Sequence, residues 1–333
     1  MLPFEPFFKN GHLATIAGNF WSRPEIEKRW PVRADRYQPE PGIEVLVHSQ
    51  FPEGETKGEL ILVHGLEGSS EAGYARSMAG AALEAGYAVH RFNMRGCGGS
   101  EWNPKANYHS GQTGDLLHVI RERKRAGAGP IYPIGFSLGG NVVLKMAGEL
   151  GESATDLIAG LAAVCTPIDL SASVEHIDRW QNYIFARRFV NRLKDRVRRR
   201  HRIAPELYDL GPLASVRTIR DFDDAYTAKI FGFGTAENYY RTQSSNQFLG
   251  WIRVPSLVVH AQDDPMIPAA IYRHPAFASN PFLRLVTVEH GGHLGFISRR
   301  LPRFWLDGLV LEWLAEQEGR QKAGNARPAH LVS

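Results

Sequence analysis

Ile131-Tyr132-Pro133-Ile134-Gly135-Phe136-Ser137-Leu138-Gly139-Gly140-Asn141 reads as a strand, a sharp turn and the start of a helix. Ile131 to Ile134 is a short apolar run, and Gly140 to Glu149 continues at helical spacing, with Val142, Val143, Met146 and then Leu150 on the inward side. Between them lies Gly135-x-Ser137-x-Gly139, the pattern in which a serine stands at the tip of a strained strand-to-helix turn. The flanking glycines are required because a Cβ at either position would strike the neighbouring strand or helix. Ser137 is then a candidate nucleophile, placed over a helix N-terminus whose dipole and free N–H groups favour a developing oxyanion. A serine between glycines is also an ordinary turn, so the surroundings must decide between the two.

Those surroundings have a rhythm. Ile43 to Gln50 alternates like a strand, and Gly58 to His64 is a buried strand ending in His64-Gly65-Leu66-Glu67-Gly68. Tyr74 to Ala85 has helical spacing and stops at Gly86; Tyr87 to Met94 is the next strand; Thr113 to Arg125 is a helix; Leu157 to Thr166 is a strand. Strands and helices alternating at these short intervals imply right-handed crossovers and an α/β fold with a mostly parallel central sheet flanked by helices. After Pro167 the rhythm breaks, resuming at Ser256 to Ala261, so residues 168–245 are expected to be an inserted helical cap. Ala269 to Ser279 then suggests a helix, Leu283 to Val288 a strand and Pro302 to Glu316 a closing helix with Trp305, Leu309 and Trp313 inward. The expected organisation is a single domain over 1–316, with an N-terminal arm over 1–36 and a disordered polar tail over 317–333.

A serine hydroxyl is a poor nucleophile until a base takes its proton, and the base needs a third group to hold its tautomer. In a sheet of this kind the partners follow the serine in the order acid, histidine, each on a loop after a strand. Asp263-Asp264 follows the resumed strand and His290-Gly291-Gly292-His293 follows the last one. Asp264 is preferred as the acid because it stands four residues before Pro268, Asp263 being suited to bracing the loop. His293 is preferred to His290 because two glycines before it let the loop fold back over Ser137. The expected oxyanion donors are the backbone N–H groups of Leu138, directly after the nucleophile, and Leu66, beside a glycine that permits close approach. His64 suits a structural brace of that loop better than a base. Gly96, Gly98 and Gly99 lack the G-x-G-x-x-G spacing and a helix directly after, which excludes a dinucleotide loop.

Length and composition set further bounds. The chain has 333 residues, 43% of them hydrophobic, and a net charge of +4. Arg187 to Arg202 holds nine Lys/Arg against the single Asp195, a local net of +8, so with +4 for the whole chain the remainder carries −4. Within it Phe185, Phe189, Leu193 and Val197 recur every four residues, which predicts a basic amphipathic helix. A solvated face is the plain reading; the sharper one is a cap that approaches acidic substrates or transiently contacts an anionic membrane surface. So local a patch does not make a polycation, and no nucleic-acid partner is expected. Cys97 and Cys165 form no metal-type spacing, so no metal is expected, and a reducing cytoplasmic setting is. No signal-peptide core and no run of 18 apolar residues is present.

Taken as a set, these motifs resemble the alpha/beta-hydrolase superfamily, and within it the YheT-like branch, or AB hydrolase 4 family. The resemblance is carried by Pro6-Phe7-Phe8-Lys9-Asn10-Gly11-His12-Leu13, His64 to Gly68, Arg95-Gly96-Cys97-Gly98-Gly99, Tyr108-His109-Ser110-Gly111, Gly135 to Asn141, Arg220-Asp221-Phe222-Asp223-Asp224 with Tyr239-Tyr240, and His290 to Phe296. It runs from about residue 4 to 315. It implies a charge-relay triad of Ser137, Asp264 and His293 and hydrolysis of carboxylic esters, acylglycerols or phospholipids among them, without a cofactor. Lipid-handling relatives often carry an N-terminal membrane anchor, whereas this chain starts directly at the signature, so stable membrane residence is not expected. Two other readings stay open at this point: a catalytically silent scaffold that keeps the fold, and a peripheral protein that docks on lipid.

Overall fold

A computed structural model describes residues 2–325. Its strands are β1 (Arg33–Glu40), β2 (Ile43–Gln50), β3 (Glu59–Val63), β4 (Ala88–Phe92), β5 (Ile131–Phe136), β6 (Leu161–Val164), β7 (Ser256–Ala261) and β8 (Leu283–Val288). They form one eight-stranded sheet in the order β1-β2-β4-β3-β5-β6-β7-β8. The pairings β1·β2 and β2·β4 are antiparallel and the rest parallel. Every residue of β3 to β7 is buried, because helices cover both faces of a parallel sheet; β3, β5 and β6 accordingly read as largely apolar runs, whereas β4 buries His90 and Arg91.

The period-2 side-chain alternation of a strand sorts these residues into two cores. Ile61 and Val63 of β3 face one core, with Leu116 and Ile120 of α3 (Gly114–Arg125) and Val142, Val143 and Met146 of α4 (Leu138–Leu150). Leu60 and Leu62 face the other, with Met78 of α2 (Gly73–Glu84) and Trp305, Leu309 and Trp313 of α11 (Trp305–Asn325). At ~25 cal/mol per Å² of apolar area, each large core side chain contributes roughly 1.5–3 kcal/mol.

Between β6 and β7 the chain leaves the sheet and forms α5 (Leu170–Ile177), α6 (Tyr183–Ile203), α7 (Ile219–Phe222), α8 (Ala228–Ile230) and α9 (Ala236–Gln243). This segment is helical throughout its regular parts. α6 is the anticipated amphipathic helix, burying Phe185, Val190, Leu193 and Val197. One expected element is divided: the helix expected over 269–279 is a 3₁₀ turn, Ala269–Arg273, followed by the short α10 (Ala276–Ser279).

The N-terminal arm contains α1 (Gly11–Phe20), capped by the Asn10 side chain accepting from Leu13 N at 3.0 Å. It also ends sooner than expected, because β1 already starts at Arg33 and pairs with β2. β1 escaped pattern reading because it is a polar edge strand, exposed or half-buried along its length, with no apolar face. The closing helix does not stop at Glu316. It runs on through Asn325, because Gln317 is buried with its amide on Trp313 O and the Tyr87 hydroxyl donates to Glu318. Residues 326–333 of the expected tail lie outside the described residues.

Asp307, in the first turn of α11, accepts a hydrogen bond from Ser77 of α2. Burial pushes its carboxyl up to about 7, against the opposing pull of Ser77 and the Arg23 charge. A folded value above the ordinary 3.8 means that the fold holds a proton the unfolded chain has lost, so stability falls as pH rises from about 4 towards 7. Asp307→Asn is expected to remove that decline, on the order of a few kcal/mol between about pH 5 and about pH 8 by urea unfolding. Equal pH slopes for both proteins would contradict it.

Candidate active site

β3 is flanked by β4 and β5, so the connections diverge at its carboxyl end, where open α/β sheets place their ligand crevice. The register pairs Val63 with Gly135 and Ala261 with Val288. It therefore lines up the loops that follow β3, β5, β7 and β8 along one edge.

Ser137 joins β5 to α4 at φ 53° and ψ −122°, a region that L-residues rarely adopt. Strain of this kind costs roughly 1–3 kcal/mol. It is held by Ser137 N donating to Val164 O at 2.8 Å and by Gly140 N donating to Ser137 O at 2.9 Å. The turn is closed so tightly that a Cβ on Gly135 would lie 2.3 Å from Gly139 O, and one on Gly139 the same distance from Val63 O.

His293 Nε2 lies 2.9 Å from Ser137 Oγ, and His293 Nδ1 lies 2.8 Å from Asp264 Oδ2. With the proton on Nδ1, the imidazole donates to Asp264 and accepts from the serine hydroxyl. The other oxygen of Asp264 accepts from Met266 N at 2.8 Å and Ile267 N at 3.0 Å. Burial works to raise the Asp264 carboxyl, but His293, His260 and the Met266 amide outweigh it and hold the group below its ordinary value. Asp264 thus stays ionised while buried. Asp263 and His290 stand apart from this chain. Asp263 Oδ1 accepts from Gly292 N at 2.8 Å, and Oδ2 faces His290 Nδ1 at 3.3 Å, which braces the histidine loop.

The loop after β3 comes close to the serine. A Cβ on Gly65 would sit 3.0 Å from Ser137 Cβ and 3.5 Å from its Oγ. Gly65 N donates to Tyr74 Oη at 2.9 Å and Glu67 N to Tyr108 Oη at 3.0 Å. Among the described residues, the N–H groups of Leu66 and Leu138 meet no protein acceptor, so both are free for a ligand. His64 packs beneath, its Nε2 accepting from Met94 N at 3.1 Å. Burial pushes its ring down to about 4, so it is neutral, and its other nitrogen, Nδ1, lies 2.7 Å from Gly65 O, so both ring nitrogens are engaged by backbone.

Several supporting residues were beyond pattern reading. Thr15 Oγ1 accepts from His293 N at 2.8 Å, and a Cβ on Gly11 would fall 1.7 Å from Asp263 O. The N-terminal signature therefore seats α1 on the acid and histidine loops. Asn141 Nδ2 donates to Ser110 O and to Gln243 O, both at 2.9 Å, and its Oδ1 accepts from Ser245 N at 2.8 Å. It fastens the Tyr108–Ser110 loop and the chain at the end of α9 to α4. Arg196 pairs with Glu67 at 2.6 Å, tying α6 to the loop after β3. The occurrence of Gly11, Asn141 and Tyr108 within quoted motifs was a signal; Arg196, inside a charge run, gave none.

Two cavities meet at the serine. A cleft of about 480 Å³ runs under α6, lined by Gly65, Leu66, Phe185, Arg188, Arg192 and Leu294 among others. A chamber of about 100 Å³ extends towards α5, α6 and α7, lined by apolar groups such as Leu138, Leu170, Ile177, Leu193, Ile219 and Ile267. Ser137, His293, Leu66, Phe189, Arg196 and Met266 border both. Among the described residues the one cluster with metal-ligand types is Cys165, Asp264 and His293, its candidate atoms within 4.8 Å of one another. Two of the three are engaged in the hydrogen-bond chain, and burial raises the Cys165 thiol well above its ordinary value, so this donor set fits a proton relay better than a cation.

No helix of the described residues is long and apolar enough to cross a membrane. Residues 59–299 match the family model described as the alpha/beta hydrolase fold. YheT of Escherichia coli (strain K12) is 33% identical over 314 residues, which is 92% of this chain and 91% of that protein. The monoacylglycerol lipase of Saccharomyces cerevisiae is 30% identical over 261 residues, 75% of this chain and 57% of that one. Among solved structures, the esterase Pf2001 of Pyrococcus furiosus superposes with a TM-score of 0.59 at 16% identity, over 89% of this chain and 95% of that one.

Proposed function

The chain belongs to the alpha/beta-hydrolase family, in its YheT-like branch, and from this we propose that it is a serine hydrolase of carboxylic esters acting through Ser137, His293 and Asp264. The observation that carries the proposal is the continuous hydrogen-bond chain from Ser137 Oγ through His293 to Asp264, at the junction of two cavities. His293 Nε2 takes the serine proton as Oγ attacks the ester carbonyl. The ionised Asp264 holds the tautomer and stabilises the imidazolium. The N–H groups of Leu66 and Leu138 receive the oxyanion, which one such donor stabilises by about 2.7–4 kcal/mol. His293 then protonates the departing alcohol, and the same imidazole activates water to release the acid.

The name of the yeast relative supports lipid esters as a substrate class. The chamber bounds the acyl group: about 100 Å³ falls below the ~300–1,000 Å³ of sites for drug-sized ligands, so short acyl chains are favoured. A p-nitrophenyl ester series from acetyl to palmitoyl tests both points. Hydrolysis with an optimum at the short end is expected. No turnover of any member by a folded sample would favour a silent scaffold, and an optimum at palmitoyl would mean that the acyl chain does not lie in the chamber.

A further inference from the structure

We infer that the alcohol half of the substrate is anionic, and that Arg188 and Arg192 form a subsite for its phosphate or carboxylate in the cleft beside Ser137. This rests on the ester-hydrolase proposal and adds a substrate class to it.

The inference starts from how α6 distributes its charge. Phe185, Arg188, Arg192, Arg196 and Arg199 follow one another at intervals of three or four residues, so they share one face of the helix; with Phe189, next to Arg188, all of them line the cleft. Other basic residues of α6 do not line it: Arg187 donates to Tyr183 Oη and Arg198 pairs with Asp195. Not every cleft arginine is available. Arg196 is neutralised by Glu67, and Arg200 is spent on Ala106 O at 2.7 Å and Tyr208 Oη at 2.9 Å. Arg188 has no partner among the described residues, and Arg192 has only a long contact of 3.4 Å to Glu67 O.

The acids of the cleft are already engaged. Glu67 holds Arg196, Glu71 lies against His48 and Arg91, and Glu101 accepts from Gly99 N. Arg188, Arg192 and Arg199 are left without an ion-pair partner among the described residues; Arg199 lies about two turns (~10 Å) farther along α6, so Arg188 and Arg192 are the pair beside the loop after β3. One helical turn separates them, so their Cβ atoms are roughly 5–6 Å apart, a spacing that two forked donors can close around a single phosphate or carboxylate. Phe189 lies between them in sequence and borders both cavities, and Arg192 touches the loop that carries Leu66, which brings the pair to the reacting end of the cleft. With the acyl group in the apolar chamber, an anionic alcohol half is the part that the basic cleft receives.

The test compares kcat/KM for two water-soluble esters, butyryl glycerol 3-phosphate and butyryl glycerol, with the butyryl ester of glycolate as the carboxylate arm. At low ionic strength the native chain is expected to prefer an anionic ester by about tenfold or more, with the preference shrinking as salt rises. The double variant Arg188→Gln/Arg192→Gln is expected to bring the ratio close to one. A ratio near one in the native chain, with the neutral ester hydrolysed, overturns the subsite and leaves the ester hydrolase standing. A preference that emerges only for oleoyl glycerol 3-phosphate in micelles also overturns it, in favour of a lipid-surface effect. If neither ester is hydrolysed, the ester-hydrolase proposal fails, and calorimetric titration with glycerol 3-phosphate decides the subsite separately: binding lost in the double variant supports it, and no binding to the native chain overturns it.

Discussion

Ser137→Ala is expected to lower ester hydrolysis by roughly five to six orders of magnitude, to the residual rate that an oxyanion site and substrate binding supply alone. The size of the effect follows from position. Ser137 Oγ is the one hydroxyl within hydrogen-bond reach of His293 Nε2 among the described contacts, so nothing nearby can take over the attack. The fold should tolerate the change. Alanine carries the same Cβ as serine in the strained turn, and the backbone bonds to Val164 O and from Gly140 N do not involve the side chain. A far-UV circular dichroism spectrum and a melting temperature like those of the native chain, with the rate lost, is the expected pair of results. A variant within tenfold of native activity would exclude Ser137 as the nucleophile.

Asp264→Asn comes second, at roughly 10⁴-fold in kcat. The asparagine carbonyl can still accept from Met266 N and Ile267 N, so the turn after β7 is kept. Its amide N–H, facing His293 Nδ1, instead favours the imidazole tautomer with the proton on Nε2, which cannot accept from the serine. The negative charge that stabilises the imidazolium is lost with it. Asp263→Asn is the matched control: this residue braces Gly292 N and His290 rather than His293, and about a tenfold loss is expected. The same loss in both variants, measured as kcat on the preferred p-nitrophenyl ester, would mean that the two carboxylates share one structural role.

Much of this architecture could be read along the chain, for identifiable reasons. β3 and β5 announced themselves because parallel strands buried on both faces are continuous apolar runs, and Gly135 and Gly139 marked the elbow because only a residue without a side chain fits against Gly139 O and Val63 O. Acid and histidine loops could be placed because each follows a strand whose end the sheet brings to the same edge. Choosing between neighbouring carboxylates rested on a spacing to Pro268, and the structure puts Asp264 rather than Asp263 against the ring of His293. What pattern could not carry was contact between distant segments. Thr15 lies 278 residues from His293, to whose backbone it is bonded, and no period or composition links them. The basic run was legible as a helix but not as a divided one, since spacing tells which residues share a face and says nothing of what the face meets. The edge strand β1 and the polar end of α11 were missed for a related reason: edge pairing and a few polar ties stabilise them, without a stripe of apolar residues.

A fluorophosphonate probe, which reacts only with a serine whose oxygen has been activated, separates an enzyme from a silent scaffold in one experiment. The native chain and Ser137→Ala should be incubated side by side and the modified peptide mapped by mass spectrometry. A phosphonate adduct on Ser137, absent from the alanine variant and formed much more slowly in Asp264→Asn, is the outcome expected from the hydrogen-bond chain. A folded native protein that takes up no probe, or takes it up at another residue, would contradict an activated Ser137 and with it the catalytic role of His293 and Asp264.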